Sequence, residues 1–176
     1  KANTIVASQT FGHAIDMSTD GATILVAANN DATSKGKAFV FTNNGSQWQA
    51  VELEAENGEA NDKFGSAVAI SGDASTIMIT AEGEAGTGVG INPADAGSAA
   101  DAGAAYMFRI ENGSWQQHSY IKARNTGTTD AFGASVALSN DANEVVIGAS
   151  GESSDSTGIN GADNDNQAKA GAVYLY

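Results

Sequence analysis

Residues 64–81 read Phe64-Gly65-Ser66-Ala67-Val68-Ala69-Ile70-Ser71-Gly72-Asp73-Ala74-Ser75-Thr76-Ile77-Met78-Ile79-Thr80-Ala81. Two short apolar runs flank a Ser-x-Asp-Ala connection, which is the pattern of two strands joined by a tight turn. The same register returns twice. Residues 11–28 read FGHAIDMSTDGATILVAA and residues 132–149 read FGASVALSNDANEVVIGA. Asp20, Asp73 and Asp141 each stand nine residues after the Phe. Self-similarity at such a period signals a repeat architecture and takes precedence over any local reading.

Working outward, a second shared block follows each copy: Gly36-Lys37-Ala38-Phe39-Val40-Phe41, Gly103-Ala104-Ala105-Tyr106-Met107-Phe108 and Gly171-Ala172-Val173-Tyr174-Leu175-Tyr176. Copies two and three align without a gap at an offset of 68, pairing Glu84 with Glu152, Asn92 with Asn160 and Asp95 with Asp163. The first copy spans only 53 residues from Phe to Phe, and its missing residues fall between Ala28 and Gly36, where the others carry a long loop. Trp48 and Trp115 open a further run in the first two copies, and Asn44-Gly45 and Asn112-Gly113 stand just before them. Asn-Gly between strand-like runs is a strong hairpin signal. Each repeat therefore reads as four strands, in the second copy Phe64 to Ile70, Thr76 to Ala81, Ala104 to Ile110 and Trp115 to Ala123. A four-stranded antiparallel unit at this period is a propeller blade. The expected fold is all-β, with three four-stranded antiparallel blades at about 5–57, 62–124 and 130–176 and the third lacking its own outer strand. Small residues such as Gly65, Ser66, Ala67 and Ala69 suit an inner strand. The aromatics at 39, 41, 106, 108, 174 and 176 suit blade faces further out.

The pattern Phe132-Gly133, a Ser-x-Asp turn, Gly148-Ala149 and Gly171-Ala172-Val173-Tyr174 resembles the FG-GAP repeat of integrin-α-like β-propellers. The resemblance covers essentially the whole chain. It implies a propeller of a kind found in integrin α-subunit heads and in large secreted or surface proteins, most of which bind ligands. One feature departs from that family. Integrin blades often place an Asp-x-Asp-x-Asp-Gly calcium loop between strands one and two. Here the connections are Ser18-Thr19-Asp20-Gly21, Ser71-Gly72-Asp73-Ala74 and Ser139-Asn140-Asp141-Ala142. A single carboxylate cannot supply the six to eight oxygens that Ca²⁺ takes, so these aspartates are read as turn residues.

Composition bounds the rest. Of 176 residues, 21 are Gly and 1 is Pro, which suits short strands and tight turns. The net charge of −13 leaves no basic footprint for nucleic acid and repels an anionic membrane surface. There is no Cys, hence no disulfide framework or thiol chemistry. No apolar run is long enough for a spanning helix. His13 and His118 are not equivalent in the repeat, and neither a Ser-His-Asp context nor a Gly-x-x-x-x-Gly-Lys loop is present.

Candidate sites fall on the long loops at about 82–102 and 150–170, expected on the face that such propellers use for ligands. Glu84, Asn92, Asp95 and Glu152 are the expected ligand-face residues. The second loop is dense in oxygen, and Asp155, Asn160, Asp163 and Asp165 are candidate Ca²⁺ ligands. The same composition also fits a polar loop whose Asn and Asp satisfy their own backbone. Asp62 and Asp130 are expected to bond the turn into strand one.

Three blades do not close a ring. The expectation is further blades from the same chain or from copies of it, with Thr4-Ile5-Val6-Ala7 as a strand that could be exchanged. The leading functional expectation is a non-catalytic extracellular, secreted or cell-surface binding or adhesion module taking a protein or glycan ligand, with no nucleic-acid partner and no membrane insertion. The alternative is a structural repeat protein that assembles into a surface layer, filament or appendage. A propeller-scaffold enzyme acting on polysaccharide carries less weight, because no convergent acid/base set can be assembled.

Overall fold

The structure, a computed structural model, describes residues 9–30, 33–155 and 167–176. Its strands are β1 (Ile15–Met17), β2 (Thr23–Ala28), β3 (Lys37–Asn43), β4 (Trp48–Leu53), β5 (Phe64–Ile70), β6 (Thr76–Ala81), β7 (Gly90–Ile91), β8 (Ala104–Glu111), β9 (Ser114–Lys122), β10 (Phe132–Leu138), β11 (Val145–Ala149) and β12 (Ala172–Leu175). They form three antiparallel sheets, ordered β1-β2-β3-β4, β5-β6-β8-β9-β7 and β10-β11-β12. The fold is all-β, and the third sheet has no outer fourth strand among the described residues. The expectation of four strands per unit needs one correction. The second sheet has five, because the long loop lays β7 against the outer edge of β9, with Gly90 opposite Lys122 and Ile91 opposite Ile121. A paired edge is a protected edge. The exchanged-strand segment at residues 4–7 lies outside the described residues.

The connections explain why these residues form these strands. Ser18, Ser71 and Ser139 each donate their hydroxyl to the Asp two residues on, at 2.6, 2.7 and 2.7 Å. Each Asp in turn accepts a backbone N–H two residues further along. The turn is therefore satisfied by its own side chains. In the β8–β9 hairpin, Asn112 and Gly113 sit at φ +50° and +79° between the facing residues Glu111 and Ser114, the two-residue geometry whose twist matches the strands.

Sheets stack face to face through apolar side chains. Leu25, Val40 and Leu53 of the first sheet pack on Phe64, Ile77, Ile79 and Tyr106 of the second. The other face of the second sheet, including Ala69, Met78 and Ala105, packs on Phe132, Ile147 and Tyr174 of the third. Each junction is keyed by the Phe-Gly pair. Phe64 and Phe132 form parallel bridges with Gly36 and Gly103 of the preceding sheet. A Cβ on Gly103 would lie 2.0 Å from the Phe132 carbonyl oxygen, so only Gly allows the approach. Phe11 forms no such bridge among the described residues, and there the first strand begins four residues later, at Ile15. The turns after strand one also meet: Thr19 N–H donates to the Gly72 carbonyl and Gly72 N–H to the Asn140 carbonyl, at 3.0 and 2.9 Å.

Candidate functional site

The long loop after β6 is built on a buried carboxylate. Glu84 is 3% exposed. Its Oε1 accepts the Tyr120 hydroxyl and the Gly86 N–H, both at 2.8 Å. Its Oε2 accepts from the Lys122 ammonium, which is fully enclosed. Burial pulls the Lys122 ammonium below its ordinary pKa, and the Glu84 carboxylate opposes that pull. Burial, followed by the charge of Glu84, raises the Tyr120 phenol, so it is a donor at neutral pH. Tyr120 and Lys122 alternate with Ile121 along β9, which aims both polar groups at the loop and Ile121 at the third sheet.

From this base the loop is tied on every side. Asn92 reads the β9 backbone in both directions, donating its N–H to the Tyr120 carbonyl at 2.7 Å and accepting the Tyr120 N–H at 2.8 Å. Asp95 accepts from the Asn57 amide at 3.0 Å. Thr87 N–H donates to the Ala96 carbonyl at 2.9 Å, and Thr126 Oγ1 donates to the Gly88 carbonyl at 2.8 Å. Asp62 accepts the Glu59 N–H at 2.7 Å and bonds the turn ahead of β5. Its carboxyl is pushed up to about 6, chiefly by burial. Asp130 takes the Gly127 N–H at 2.7 Å in the next unit. What remains outward includes Val89 and Ile91, 54% and 60% exposed.

The third unit repeats the base. Glu152, 2% exposed, accepts the Ser154 N–H at 3.0 Å as Glu84 accepts that of Gly86. Gly171 N–H donates to its carbonyl at 2.8 Å, as Gly103 does to Glu84 at 2.9 Å. Its other carboxylate oxygen takes the Asn125 amide at 2.8 Å, and Asn125 also accepts the Tyr174 hydroxyl. The structure therefore places Glu84 and Glu152 inside their loops as anchors, with Asn92 and Asp95 as clips on the loop exterior. Asp155 is exposed. Asn160, Asp163 and Asp165 lie outside the described residues. Among the described residues, no group of three or more His, Asp or Glu is placed to hold a metal ion. Nor is any helix among them long and apolar enough to cross a membrane. The FG-GAP repeat family model matches residues 48–108 and 115–176.

The chain belongs to the FG-GAP repeat family.

No curated protein matches the chain. The two FG-GAP matches begin at the fourth strand of one sheet and run through the third strand of the next. They thus enclose the Phe-Gly junctions at 64 and 132. The residues that sequence reasoning missed are Lys122, Tyr120 and the Asn57/Asn125 pair. Lys122 carried a legible signal, a lone cation in the run Tyr120-Ile121-Lys122-Ala123. Its position in the first unit is held by Glu54, which pairs with Lys35 and Lys37. The charge order is reversed there, where the loop is short.

Proposed function

We propose that the chain is a non-catalytic binding or adhesion module, extracellular and secreted or held at a cell surface. Its three sheets act as blades of a β-propeller completed by further blades. It meets a protein or glycan ligand with the long-loop face. The observation that carries this reading is the loop at 82–102. Glu84, Lys122 and Tyr120 hold its base, while Val89 and Ile91 stand outward on a backbone paired to β9. A loop shaped in advance spares a ligand the entropy of ordering it, and exposed apolar side chains on such a loop are ordinary contact groups of a binding surface. The carboxylates of Glu84 and Asp95 are engaged in hydrogen bonds that shape this loop, which suits presentation better than proton transfer. Ca²⁺ belongs to the reading only at the other loop, through Asp155, Asn160, Asp163 and Asp165, on the strength of their oxygen-rich sequence.

Arrays of cell-surface glycans and of extracellular proteins, probed with the labelled chain with and without Ca²⁺, test the proposal. The double variant Val89→Ser/Ile91→Ser should lose about tenfold or more of any affinity found, since each exposed aliphatic side chain is worth about 1 kcal/mol when buried by a partner. Binding unchanged by that variant would remove the loop-face reading. Calorimetric silence on adding Ca²⁺, with an unaltered unfolding midpoint, would remove the calcium part alone. A second reading, a structural unit that assembles into a layer, filament or appendage, is favoured by the exposed apolar side chains of Ile15 and Met17 on the first sheet and of Val173 and Leu175 on the third.

A further inference from the structure

The turn at 57–62 and the base of the long loop at 82–102 meet backbone to backbone. A Cβ on Gly83 would lie 2.2 Å from the Asn61 carbonyl oxygen and 3.3 Å from the Asp62 carbonyl carbon, so only Gly allows the approach. Two bonds clip the pieces together. Gly83 N–H donates to the Asp62 carbonyl at 3.1 Å, and the Asn57 amide donates to the Asp95 carboxylate at 3.0 Å. On its other side the turn is fixed to the first unit. Asn61 N–H donates to the Thr33 carbonyl at 3.1 Å and Lys63 N–H to the Ser34 carbonyl at 2.9 Å.

Charge at this contact is unbalanced. Asp62 is 5% exposed and Glu84 is 3% exposed. Glu84 is matched by Lys122 of β9. Asp62 accepts the Glu59 N–H and pairs with no cation among the described residues. The charges that face it are all negative: Glu84 and Asp95 from the long loop and Glu59 from its own turn. The nearby cations are committed elsewhere, Lys122 to Glu84, Lys63 to Glu82 and Lys35 of the short loop to Glu54. From β8, Tyr106 adds a wholly enclosed phenol that burial, then the charges of Glu84, Asp62 and Asp95, hold in its neutral form. Its hydroxyl and the Asn57 Oδ1 are enclosed without a hydrogen-bond partner among the described residues. Two buried carboxylates thus stand on facing surfaces against one buried ammonium. A proton on Asp62 removes its charge and adds an O–H donor to a cluster that holds an unmatched acceptor.

We propose that the 57–62 turn and the 82–102 loop form a proton-tightened clip, in which protonation of the Asp62 carboxyl draws the base of the loop onto the turn and its ionisation loosens it. Linkage sets the direction. The Asp62 carboxyl titrates at about 6 in the closed clip, against the ordinary carboxylate value of about 3.9 once the clip opens. The closed form therefore binds the proton more tightly. Closure is favoured by about tenfold as pH falls from about 8 to about 5, and the gain is lost as pH rises back through about 6. The Asp20, Asp73 and Asp141 carboxyls, held below the usual range by the hydroxyls of Ser18, Ser71 and Ser139, stay ionised through this window. The clip operates whether or not a ligand meets the loop, so its test needs none.

Amide hydrogen exchange, corrected for the intrinsic pH dependence of the exchange chemistry, reads the clip at the Gly83 N–H. The Asn43 N–H, bonded to the Ala22 carbonyl at 2.8 Å in the first sheet, is the internal reference. Protection at Gly83 should rise about tenfold from about pH 8 to about pH 5, while protection at Asn43 stays level. The carbon-13 signal of the Asp62 carboxyl should titrate at about 6. Asp62→Asn carries no charge at any pH, so its Gly83 protection should be high at about pH 8 and flat across the range. Should that variant not fold, Asp95→Asn removes one of the facing charges and should move the Asp62 midpoint downward. An Asp62 midpoint near the ordinary carboxylate value, Gly83 protection that is flat in wild type, a pH response that persists in Asp62→Asn, or a rise shared equally by Asn43 would overturn the proposal.

Discussion

Lys122 lies in a strand whose sequence neighbours are Tyr120, Ile121 and Ala123, and its ammonium touches no water. Such a charge is tolerable only because Glu84 meets it and Tyr120 and Gly86 share the remaining oxygen of the carboxylate. The pair supplies a shape more than a stability gain. Glu84→Gln leaves the ammonium buried without its counter-charge and should cost about 3–5 kcal/mol in chemical denaturation. Adding Lys122→Met should recover most of that loss, because an apolar side chain of similar length removes the desolvated charge. Equal loss in the single and double variants would show that the carboxylate works through its hydrogen bonds to Gly86 and Tyr120 instead. This residue-level arrangement was only half legible. The match of Glu84 with Glu152 marked both positions. That they point inward depends on β9 and on the 57–62 and 125–130 turns, which are distant in sequence and adjacent in the fold. Asn92 and Asp95 were legible as loop residues, but their roles as clips on Tyr120 and Asn57 were not.

At the scale of elements, the Phe-Gly junction organises everything else. Phe64 and Phe132 head their strands because the preceding sheet binds their backbone through Gly36 and Gly103. Phe11, 40% exposed, makes no such bridge among the described residues: its ring still packs on β3 while its backbone stays out of the strand. Gly103 and Gly171 are equivalent in sequence and close in φ, and they differ in which described residues stand beside them. Gly171→Ala should cost only the strain of a left-handed alanine, about 1–2 kcal/mol. Gly103→Ala adds a collision with the Phe132 carbonyl oxygen and should cost about 3 kcal/mol or more. Denaturant midpoints of the two variants at low protein concentration measure the difference. Similar losses would mean that the junction yields easily. Strand limits in the second unit could be read to within a residue or so, because Asn112-Gly113 and the Ser-x-Asp turn carry their own chemistry. β7 could not. Two residues contain no pattern, and Gly90-Ile91 is a strand only because the edge of β9 lies beside it.

For the whole molecule, a net charge of −13 makes copies of the chain repel one another. Salt shortens the range of the repulsion, from about 30 Å at 0.01 M to about 8 Å at 0.15 M, and leaves apolar burial intact. The repulsion between copies should therefore weaken as NaCl rises through that range. The second virial coefficient from light scattering at matched protein concentrations reads the shift, and a coefficient that does not fall with salt would overturn it. The return of the Phe-Gly pattern at spacings of 53 and 68, an all-β fold and the turn chemistry were determined by the sequence itself. They rest on local causes: alternation of apolar residues, positive φ at Gly and Asn, and side chains that satisfy the backbone beside them. Only the tertiary structure decided that the repeated glutamates are buried loop anchors, that the second sheet gains a fifth strand, and that Phe64 and Phe132 are fully buried while Phe11 is 40% exposed. Each of these depends on which surface meets which across tens of residues of chain, and no stretch of sequence encodes the identity of its neighbour in space.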